Sequence, residues 1–295
     1  MVNIEQTEEA KKAKDKRLRI AIQGVPGAFH EIAARLCLKK EVIEIVPAHT
    51  FADLVDMIEN DKTVDGGLMA IENTLAGSLM KNYSLLQNSN LLIMGETFLR
   101  IKQNLMVLPG VKIEDLKEVH SHPIAIEQCL EFFKQYPHIK LVDSADTALS
   151  AKEISTDKIR ERGAIASTLA ADMYDMEILA PGIETNKKNH TRFLVLQHKN
   201  RAKKHPKSNK VSISFCLSHE VGNLHSVLAV LAAYQLNLTK IQSAPIIGKP
   251  WEYQFFVDFI MGGSINYEKG IDALVPITHN LKVLGIYPQG EHFEY

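Results

Sequence analysis

Short apolar runs alternate with segments of helical periodicity along the first two thirds of the chain. A strand is predicted at Leu18–Gln23, where apolar and β-branched residues run together, and a helix at 50–60, where Leu54 and Ile58 share one face. Further strands are predicted at 44–48, 67–71, 91–98, 104–108, 116–120, 141–142 and 163–166. Further helices are predicted at 30–39, 79–87, 124–133, 145–153 and 169–174. This alternation predicts a mainly parallel α/β fold, and its restart after 108 predicts two lobes.

The pattern changes after residue 198. Residues 199–210 are basic and polar and contain Pro206, which is typical of a linker. Beyond them we predict a strand (211–217), a helix (224–234), a strand pair around Gly248-Lys249-Pro250, a helix (267–279) and a strand (281–287). This βαββαβ order predicts a small ferredoxin-like α+β domain over residues 211–288. Residues 5–19 carry mixed charges and are predicted to form a tail or a frayed helix.

Composition narrows the functional classes. The formal net charge of −1 excludes a global basic field that recruits nucleic acid or a membrane, so an anion site has to be built locally. No apolar run approaches transmembrane length and no signal peptide is recognised, so the protein is predicted to be cytoplasmic. The three cysteines, Cys37, Cys129 and Cys216, lack metal-ligand spacing and are predicted to be buried free thiols, and no metal is expected.

Several predicted strands end in turns rich in Gly, Asn, Ser or Thr that lead into helices. The turns are Gly24-Val25-Pro26-Gly27-Ala28-Phe29, Glu72-Asn73-Thr74-Leu75-Ala76-Gly77-Ser78, Ser121-His122-Pro123 and Ser167-Thr168. In the third, Pro123 suits the first helical position, with Ser121 or His122 as the cap. Ordinary capping explains any one turn taken alone. Their repetition at strand ends predicts a cleft lined by helix N-termini that binds an anionic ligand.

The stretch Asn189-His190-Thr191-Arg192-Phe193 is predicted to be a polar turn that leads into a buried strand. Thr191 offers one O–H, and Arg192 offers a fork of donors that suits a carboxylate. Taken alone, Thr191 is a common β-former and Arg192 a common strand-edge charge.

Together these motifs resemble prephenate dehydratase over residues 19–198. The carrying segments are 24–29, 71–74 with Gly77-Ser78, 121–123, 164–167 and 191–193, in the family's order and spacing. The resemblance implies a two-lobed fold like a periplasmic binding protein. It also implies conversion of prephenate to phenylpyruvate, water and carbon dioxide without a metal or organic cofactor.

The resemblance gives roles to individual residues. Thr191 is expected to donate to the departing oxygen, and Arg192 to be either a carboxylate clamp or, in regular strand, a structural ion pair. The implied substrate-binding residues are Ala28, Phe29, Asn73, Thr74, Ser78, Ser121, Ser167 and Phe193. Glu72 is expected to partner a cation or cap a helix. His30 and Gln103 depart from the family pattern, which often has serine and histidine there, and are expected to touch the cleft wall or the hinge.

Residues 211–288 resemble the ACT regulatory domain, which implies L-phenylalanine as an allosteric effector and a homodimer or homotetramer. The implied effector-binding residues are Gly222, Asn223, Leu224, Gln242, Ser243, Ala244 and Pro245. Asn223, Gln242 and Ala244 replace the family's alanine, glutamate and arginine, so both charges of the second motif are missing.

Three alternatives stay open. One is an arogenate dehydratase, which would act on the aminated substrate. Another is a non-catalytic amino-acid sensor, against which the intact Thr191-Arg192-Phe193 argues because a sensor has no need of the hydroxyl. The third is a phosphate- or nucleotide-binding protein using the turn at Gly24, which lacks the lysine of such loops.

Overall fold

The computed structural model describes residues 17–246, 248–249, 251–261 and 267–294, which pack into two compact units. Unit 1 contains the described residues up to 78, residues 97–193 and residues 292–294. Unit 2 contains residues 79–96 and the described part of 194–291. The sequence domains 19–198, 199–210 and 211–288 stay predictions. The N-terminal tail, except Arg17 to Arg19, and Pro250 of the predicted hairpin lie outside the described residues.

The first lobe of unit 1 is an α/β layer. Its elements are β1 (Leu18–Gln23), α1 (Phe29–Cys37), β2 (Ile43–Ala48), α2 (Phe51–Asn60), β3 (Gly66–Asn73) and β4 (Gly77–Ser78). After α3 (Met80–Asn88) and β5 (Leu91–Arg100) in chain order, a later strand, β11 (His190–His198), completes the sheet order β11-β3-β1-β2. Strand β1 runs parallel to both β2 and β3. A capping box between Thr50 and Asp53 starts α2, and Leu54 and Ile58 bury its apolar face.

The second lobe has a mixed sheet. Its elements are β6 (Asn104–Val107), a 3₁₀ turn (Ile113–Asp115), β7 (Glu118–Ser121), α4 (Pro123–Phe133), β8 (Lys140–Asp143), α5 (Thr147–Asp157), β9 (Arg162–Ala166), α6 (Thr168–Met173) and β10 (Glu177–Ala180). Strand β7 is parallel to β8 and β9, whereas β6 is antiparallel to β9 and β10. Pro123 occupies the first position of α4, and His122 is the cap, with its Nδ1 accepting from the N–H of Ile124.

Unit 2 contains the predicted βαββαβ module. Its elements are β12 (Lys210–Leu217), α7 (Asn223–Ala233), β13 (Leu236–Pro245), β14 (Tyr253–Met261), α8 (Tyr267–Leu274), a 3₁₀ turn (Val275–Ile277), β15 (His279–Tyr287) and β16 (Glu291–Phe293). The sheet order β13-β14-β12-β15 is the ferredoxin-like order, and β5 adds a parallel strand beside β15. The predicted helix 267–279 is too long, because Pro276 cannot donate a helical hydrogen bond and the chain tightens into the 3₁₀ turn.

None of the three cysteines forms a disulfide. Cys129 and Cys216 are buried as predicted, whereas Cys37 is only partly buried. Burial raises the pKa of Cys129 to about 12, which keeps the thiol protonated and unreactive. In the part of the chain that the structure describes, no helix is long and apolar enough to cross a membrane.

Candidate active site

Thr191 lies inside a regular strand. The predicted polar turn at 189–193 is therefore wrong, because β11 already begins at His190. Thr74 extends the strand pairing through two hydrogen bonds with the backbone of His190. The N–H of Thr74 donates to the carbonyl of His190 over 2.9 Å, and Thr74 Oγ1 accepts from the N–H of His190 over 2.9 Å. Alternation then places Thr191 and Phe193 on one face of the strand and Arg192 on the other.

Asn73, at the end of β3, fixes the Thr191 hydroxyl. Its Nδ2 donates to Thr191 Oγ1 over 2.9 Å and to Asn189 Oδ1 over 2.7 Å. Its Oδ1 accepts from the N–H groups of Leu75 and Ala76, each at 2.9 Å. Because backbone N–H groups can only donate, they determine which end of the amide is oxygen. Every polar atom of the Asn73 amide is thereby committed.

This arrangement directs the Thr191 proton. A threonine hydroxyl has one proton to give and two lone pairs. One lone pair receives the Asn73 amide, and among the described residues no acceptor takes the proton. The hydroxyl is therefore set to donate, to a bound molecule or to water, from a residue that is only 8% exposed.

Asn189 and Gln128 extend the network and were not predicted. Asn189 is fully buried, and its Nδ2 donates to Gln128 Oε1 over 2.8 Å. Asn189 stands on the return from the second lobe and Gln128 on α4, so the amide chain runs from the first lobe to the second. The sequence signal for Asn189 was its place two residues before Thr191, but nothing in the sequence pointed to Gln128.

Arg192 is paired with Glu72. Its Nη1 lies 3.9 Å from Glu72 Oε2, and its side chain is 6% exposed. This is the ion-pair alternative, which regular strand geometry favours, and it confirms Glu72 as the partner of a cation. A role of Arg192 as a carboxylate clamp stays a prediction.

His30 packs against the face of the strand that carries Phe193. The two rings meet edge to face at 5.0 Å, and the imidazole also contacts Phe51 at 5.6 Å. Burial lowers the pKa of His30 to about 4, because the charged form loses its hydration. The ring is therefore neutral near pH 7, and its Nε2 is buried without a hydrogen-bond partner among the described groups.

The turn at residues 24–29 uses its backbone groups within the protein. The N–H of Gly24 donates to the carbonyl of Ala48, that of Ala28 to the carbonyl of Val25, and that of Gly27 to the carboxylate of Glu31 over 2.8 Å. Glu31 is 1% exposed and also accepts from Arg35. Glu31 was not predicted, and its charge at the start of α1 opposes an anion there.

The glycines of this turn allow the two lobes to approach. A Cβ on Gly24 would lie 2.6 Å from Asp146 Oδ2, and one on Gly27 would lie 3.0 Å from the Cα of Ala170. Both glycines also have positive φ, at 98° and 91°. Asp146 caps α5, and burial raises the pKa of its carboxyl group. The turn therefore packs on the N-termini of α5 and α6 in the second lobe.

The remaining predicted residues are held by backbone partners. Ser167 donates to the carbonyl of Gly27 over 2.6 Å and caps α6, and Ser121 donates to the carbonyl of Ile165 over 2.7 Å. Thr74 Oγ1 donates to the carbonyl of Lys188 over 2.9 Å. Ser78 pairs with Glu72 in the β3–β4 ladder. Substrate contacts by these four residues, and by Ala28 and Phe29 at the start of α1, stay predictions.

Gln103 lies where the chain crosses between the lobes. Its N–H donates to Glu184 Oε2 over 2.9 Å, and its carbonyl accepts from the N–H of Ile183 over 2.7 Å. Arg100 Nη2 lies 3.5 Å from the other oxygen of the buried Glu184. The segment around Gln103 and the segment around Glu184 are thus held together by an ion pair and by the two backbone hydrogen bonds of Gln103.

The two effector motifs of unit 2 lie at one end of its sheet. Gly222 caps α7 with a φ of 90°, and Asn223 donates to Ser218 Oγ over 2.9 Å just beyond β12. The segment Gln242-Ser243-Ala244-Pro245 ends β13. Pro245 and Leu217 share Tyr253 as their cross-strand partner, so both motifs reach the same sheet end.

The structure thus defines a class of fold: a two-lobed α/β unit with an oriented hydroxyl, followed along the chain by a ferredoxin-like module. The family model for prephenate dehydratase matches residues 20–201. The chain belongs to the prephenate dehydratase family.

Named relatives match nearly the whole chain. Arogenate dehydratase 2 of Petunia hybrida is 37% identical over 288 residues, covering 92% of this chain and 72% of the relative. The bifunctional chorismate mutase/prephenate dehydratase of Escherichia coli K12 is 30% identical over 273 residues, covering 92% and 70%.

Solved structures confirm the predicted fold. The prephenate dehydratase of Arthrobacter aurescens in complex with L-Phe superposes with a TM-score of 0.80 at 22% identity, covering 92% of this chain and 90% of that chain. GqqA, described as a novel type of quorum quenching acylase, superposes with a TM-score of 0.81 at 28% identity, covering 92% and 98%. The fold therefore accommodates more than one described activity, and the reaction has to be argued from the site.

Proposed function

We propose that this protein catalyses the decarboxylative dehydration of prephenate to phenylpyruvate, with Thr191 as the hydrogen-bond donor to the departing hydroxyl. The observation that carries the proposal is the Asn73 amide, which occupies a lone pair of Thr191 Oγ1 at 2.9 Å and leaves the proton for a ligand. A module that only binds an amino acid has no need of a donor oriented in this way.

The reaction needs little covalent participation by the protein. The C–C bond to the ring carboxylate breaks and releases carbon dioxide, its electron pair enters the ring, and the C–O bond opposite breaks to release hydroxide. The hydroxide takes a proton and becomes water, and the ring becomes aromatic. Catalysis then consists of orienting the substrate and stabilising charge on the leaving oxygen.

Thr191 fits this need as a donor rather than as an acid. A threonine hydroxyl is too weak an acid to transfer its proton readily at neutral pH, but a hydrogen bond to the leaving oxygen strengthens as negative charge develops there. Because the donor is already oriented by Asn73, little reorganisation is required when the bond breaks. The proton that completes water then comes from solvent.

Arogenate is the second candidate substrate, because some of the relatives bear its name. The Petunia protein at 37% identity bears the name arogenate dehydratase. Arogenate differs from prephenate only in an amine in place of the side-chain keto group, so the same leaving-group chemistry applies.

Phenylalanine is the proposed effector, bound at 222–224 and 242–245, and a homodimer or homotetramer is the proposed assembly. The bound L-Phe in the Arthrobacter aurescens structure supports the effector class. A cytoplasmic location stays a prediction.

The test is direct. The purified protein is incubated with prephenate at neutral pH, and phenylpyruvate is followed by its absorbance in alkali against an enzyme-free blank. Arogenate is tested in parallel by the appearance of phenylalanine. Turnover of prephenate well above the blank is expected. No turnover with either substrate would contradict the proposal and favour the sensor.

A further inference from the structure

Helix α3 packs with the C-terminal module although it belongs to the N-terminal half of the chain. It lies in unit 2, after β4 and before β5. Helices α7 and α8 cover one face of the module's sheet, where Phe215 and Phe259 are fully buried with Leu231 and Leu274. Residues that alternate with these phenylalanines, Ser214 and Phe256 among them, point to the opposite face. That opposite face carries α3.

One row of cross-strand partners faces α3. Register pairs Gln242 with Phe256, Phe256 with Ser214, and Ser214 with Lys282, across β13, β14, β12 and β15. We name these four residues the α3-facing row. The Phe256 ring packs on Tyr83 of α3 at 4.8 Å, and Ser214 Oγ donates to the Gln87 side chain. The row therefore touches α3 through apolar and polar contacts.

Lys282 holds the C-terminal end of α3. Its Nζ donates to the carbonyls of Leu86, Gln87 and Ser89 at 3.3, 2.8 and 2.7 Å. The last carbonyls of a helix lack helical partners and carry its negative dipole end, so a cation is favoured there. A half-buried ammonium with all three protons directed at carbonyls fixes this helix end to β15.

The N-terminal end of α3 directly follows the turn at residues 72–78, which we name the Asn73 turn. Only Leu79 separates α3 from β4, and β4 pairs with Glu72 and Asn73. Asn73 in turn orients the Thr191 hydroxyl. Rigid secondary elements are among the features that carry coupling between distant sites. A shift of the row would thus reach the turn through nine residues of helix.

We propose that α3 is the element through which the C-terminal module sets the Asn73 turn, with Lys282 as the positioning residue. Gln242 belongs both to the α3-facing row and to the predicted effector motif, so a ligand bound there acts on turnover through α3. The turnover part of this inference rests on the proposed function.

Lys282→Gln tests the proposal, with Lys269→Gln as the matched control because Lys269 is an exposed lysine on α8. We expect Lys282→Gln to lower kcat about fivefold, within the range of mutations that uncouple sites, with KM changed less than about twofold. Amide hydrogen exchange should be faster both in α3 and in residues 72–79. Lys282→Arg should restore both readouts, whereas Lys269→Gln should leave them as in wild type.

The exchange measurement separates this proposal from the proposed function, because it requires no turnover. If wild type is inactive but Lys282→Gln speeds exchange at 72–79, the proposed function fails and the mechanical coupling stands. Phenylalanine, tested by equilibrium dialysis and by assay, should still bind Lys282→Gln but change its turnover less than that of wild type. Wild-type exchange at 72–79 together with wild-type kcat would overturn the proposal. If Lys282→Gln does not fold, Ser214→Ala is used for the same measurements, because it removes only the hydrogen bond between the row and Gln87 of α3.

Discussion

The turns at residues 24–29 and 73–78 look alike in sequence and differ in use. Each follows a parallel strand of the first lobe, contains glycine and alanine, and leads towards a helix. In the first turn, Gly24, Gly27 and Ala28 give their N–H groups to protein acceptors. In the second, the backbone donors of Leu75 and Ala76 orient a side chain, Asn73, which orients another.

The difference lies in where each chain of hydrogen bonds ends. From the first turn it ends in the protein: Ser167 and Tyr174 of the second lobe donate to the carbonyls of Gly27 and Pro26, both at 2.6 Å. From the second it ends at the Thr191 hydroxyl, with a proton still to give. A turn at a strand end is thus a candidate site when its hydrogen-bond network leaves a donor unused, and a contact between lobes when it does not.

The largest effect is expected for Thr191→Ala. Without the hydroxyl, the departing oxygen loses its donor, and we expect kcat to fall by roughly a hundredfold or more with substrate affinity within about tenfold of wild type. Steady-state kinetics and a binding titration measure the two quantities. Thr191→Ser, which keeps an O–H, is the control and should retain most of the activity. Unchanged turnover in Thr191→Ala would remove the distinction between the two turns.

The next effect is expected for Asn73→Asp. A carboxylate at this position accepts rather than donates, so the Thr191 proton turns inward towards it. We expect kcat to fall by about tenfold to a hundredfold, and much less in a Thr191→Ala background, because both changes remove the same donor. Additive losses in the double-mutant cycle would show that Asn73 acts on the substrate by another route.

The alternation of apolar runs was enough to predict the two lobes and the βαββαβ module. Local signals also predicted Pro123 at the first position of α4 with Ser121 or His122 as the cap, and His122 is the cap. The resemblance, not the pattern, singled out Thr191. Its backbone conformation was predicted wrongly, because Thr74, 117 residues earlier in the chain, extends the strand.

Long-range pairing also explains the residues that were missed. Gln128 reads as an ordinary polar residue of α4, and only folding brings it 2.8 Å from Asn189. Nothing in the sequence indicates that Glu31 is buried at the start of α1, or that Asp146 lies against Gly24. Periodicity reports which face is apolar, but it carries no information on which polar groups meet across the chain.

Ser167→Ala tests whether the turn at 24–29 is a lobe contact. The change removes the cap of α6 and the bond to the Gly27 carbonyl, and we expect the free energy of unfolding to fall by about 1–2 kcal/mol. Urea denaturation measures it, and KM for prephenate should change less than about twofold. A large rise in KM with unchanged stability would instead make Ser167 a substrate contact and the two turns equivalent.

The last prediction concerns the free energy of unfolding and has no effect at neutral pH. It tests His30, which follows the first turn and packs on Phe193. Its pKa is lowered to about 4 in the folded protein, so between pH 6.5 and about pH 4 the unfolded chain binds the proton more readily. Stability contributed by the neutral ring is therefore complete above pH 6.5 and declines as the pH falls through that window. From pH 7 to pH 5 we expect wild type to lose roughly 2 kcal/mol more of its unfolding free energy than His30→Phe, which packs without titrating. Urea denaturation at both pH values measures the difference.

Parallel pH profiles of the unfolding free energy for the two proteins would contradict this prediction. They would mean that the His30 imidazole is hydrated, and that its contact with Phe193 of β11 is looser than the 5.0 Å ring distance indicates.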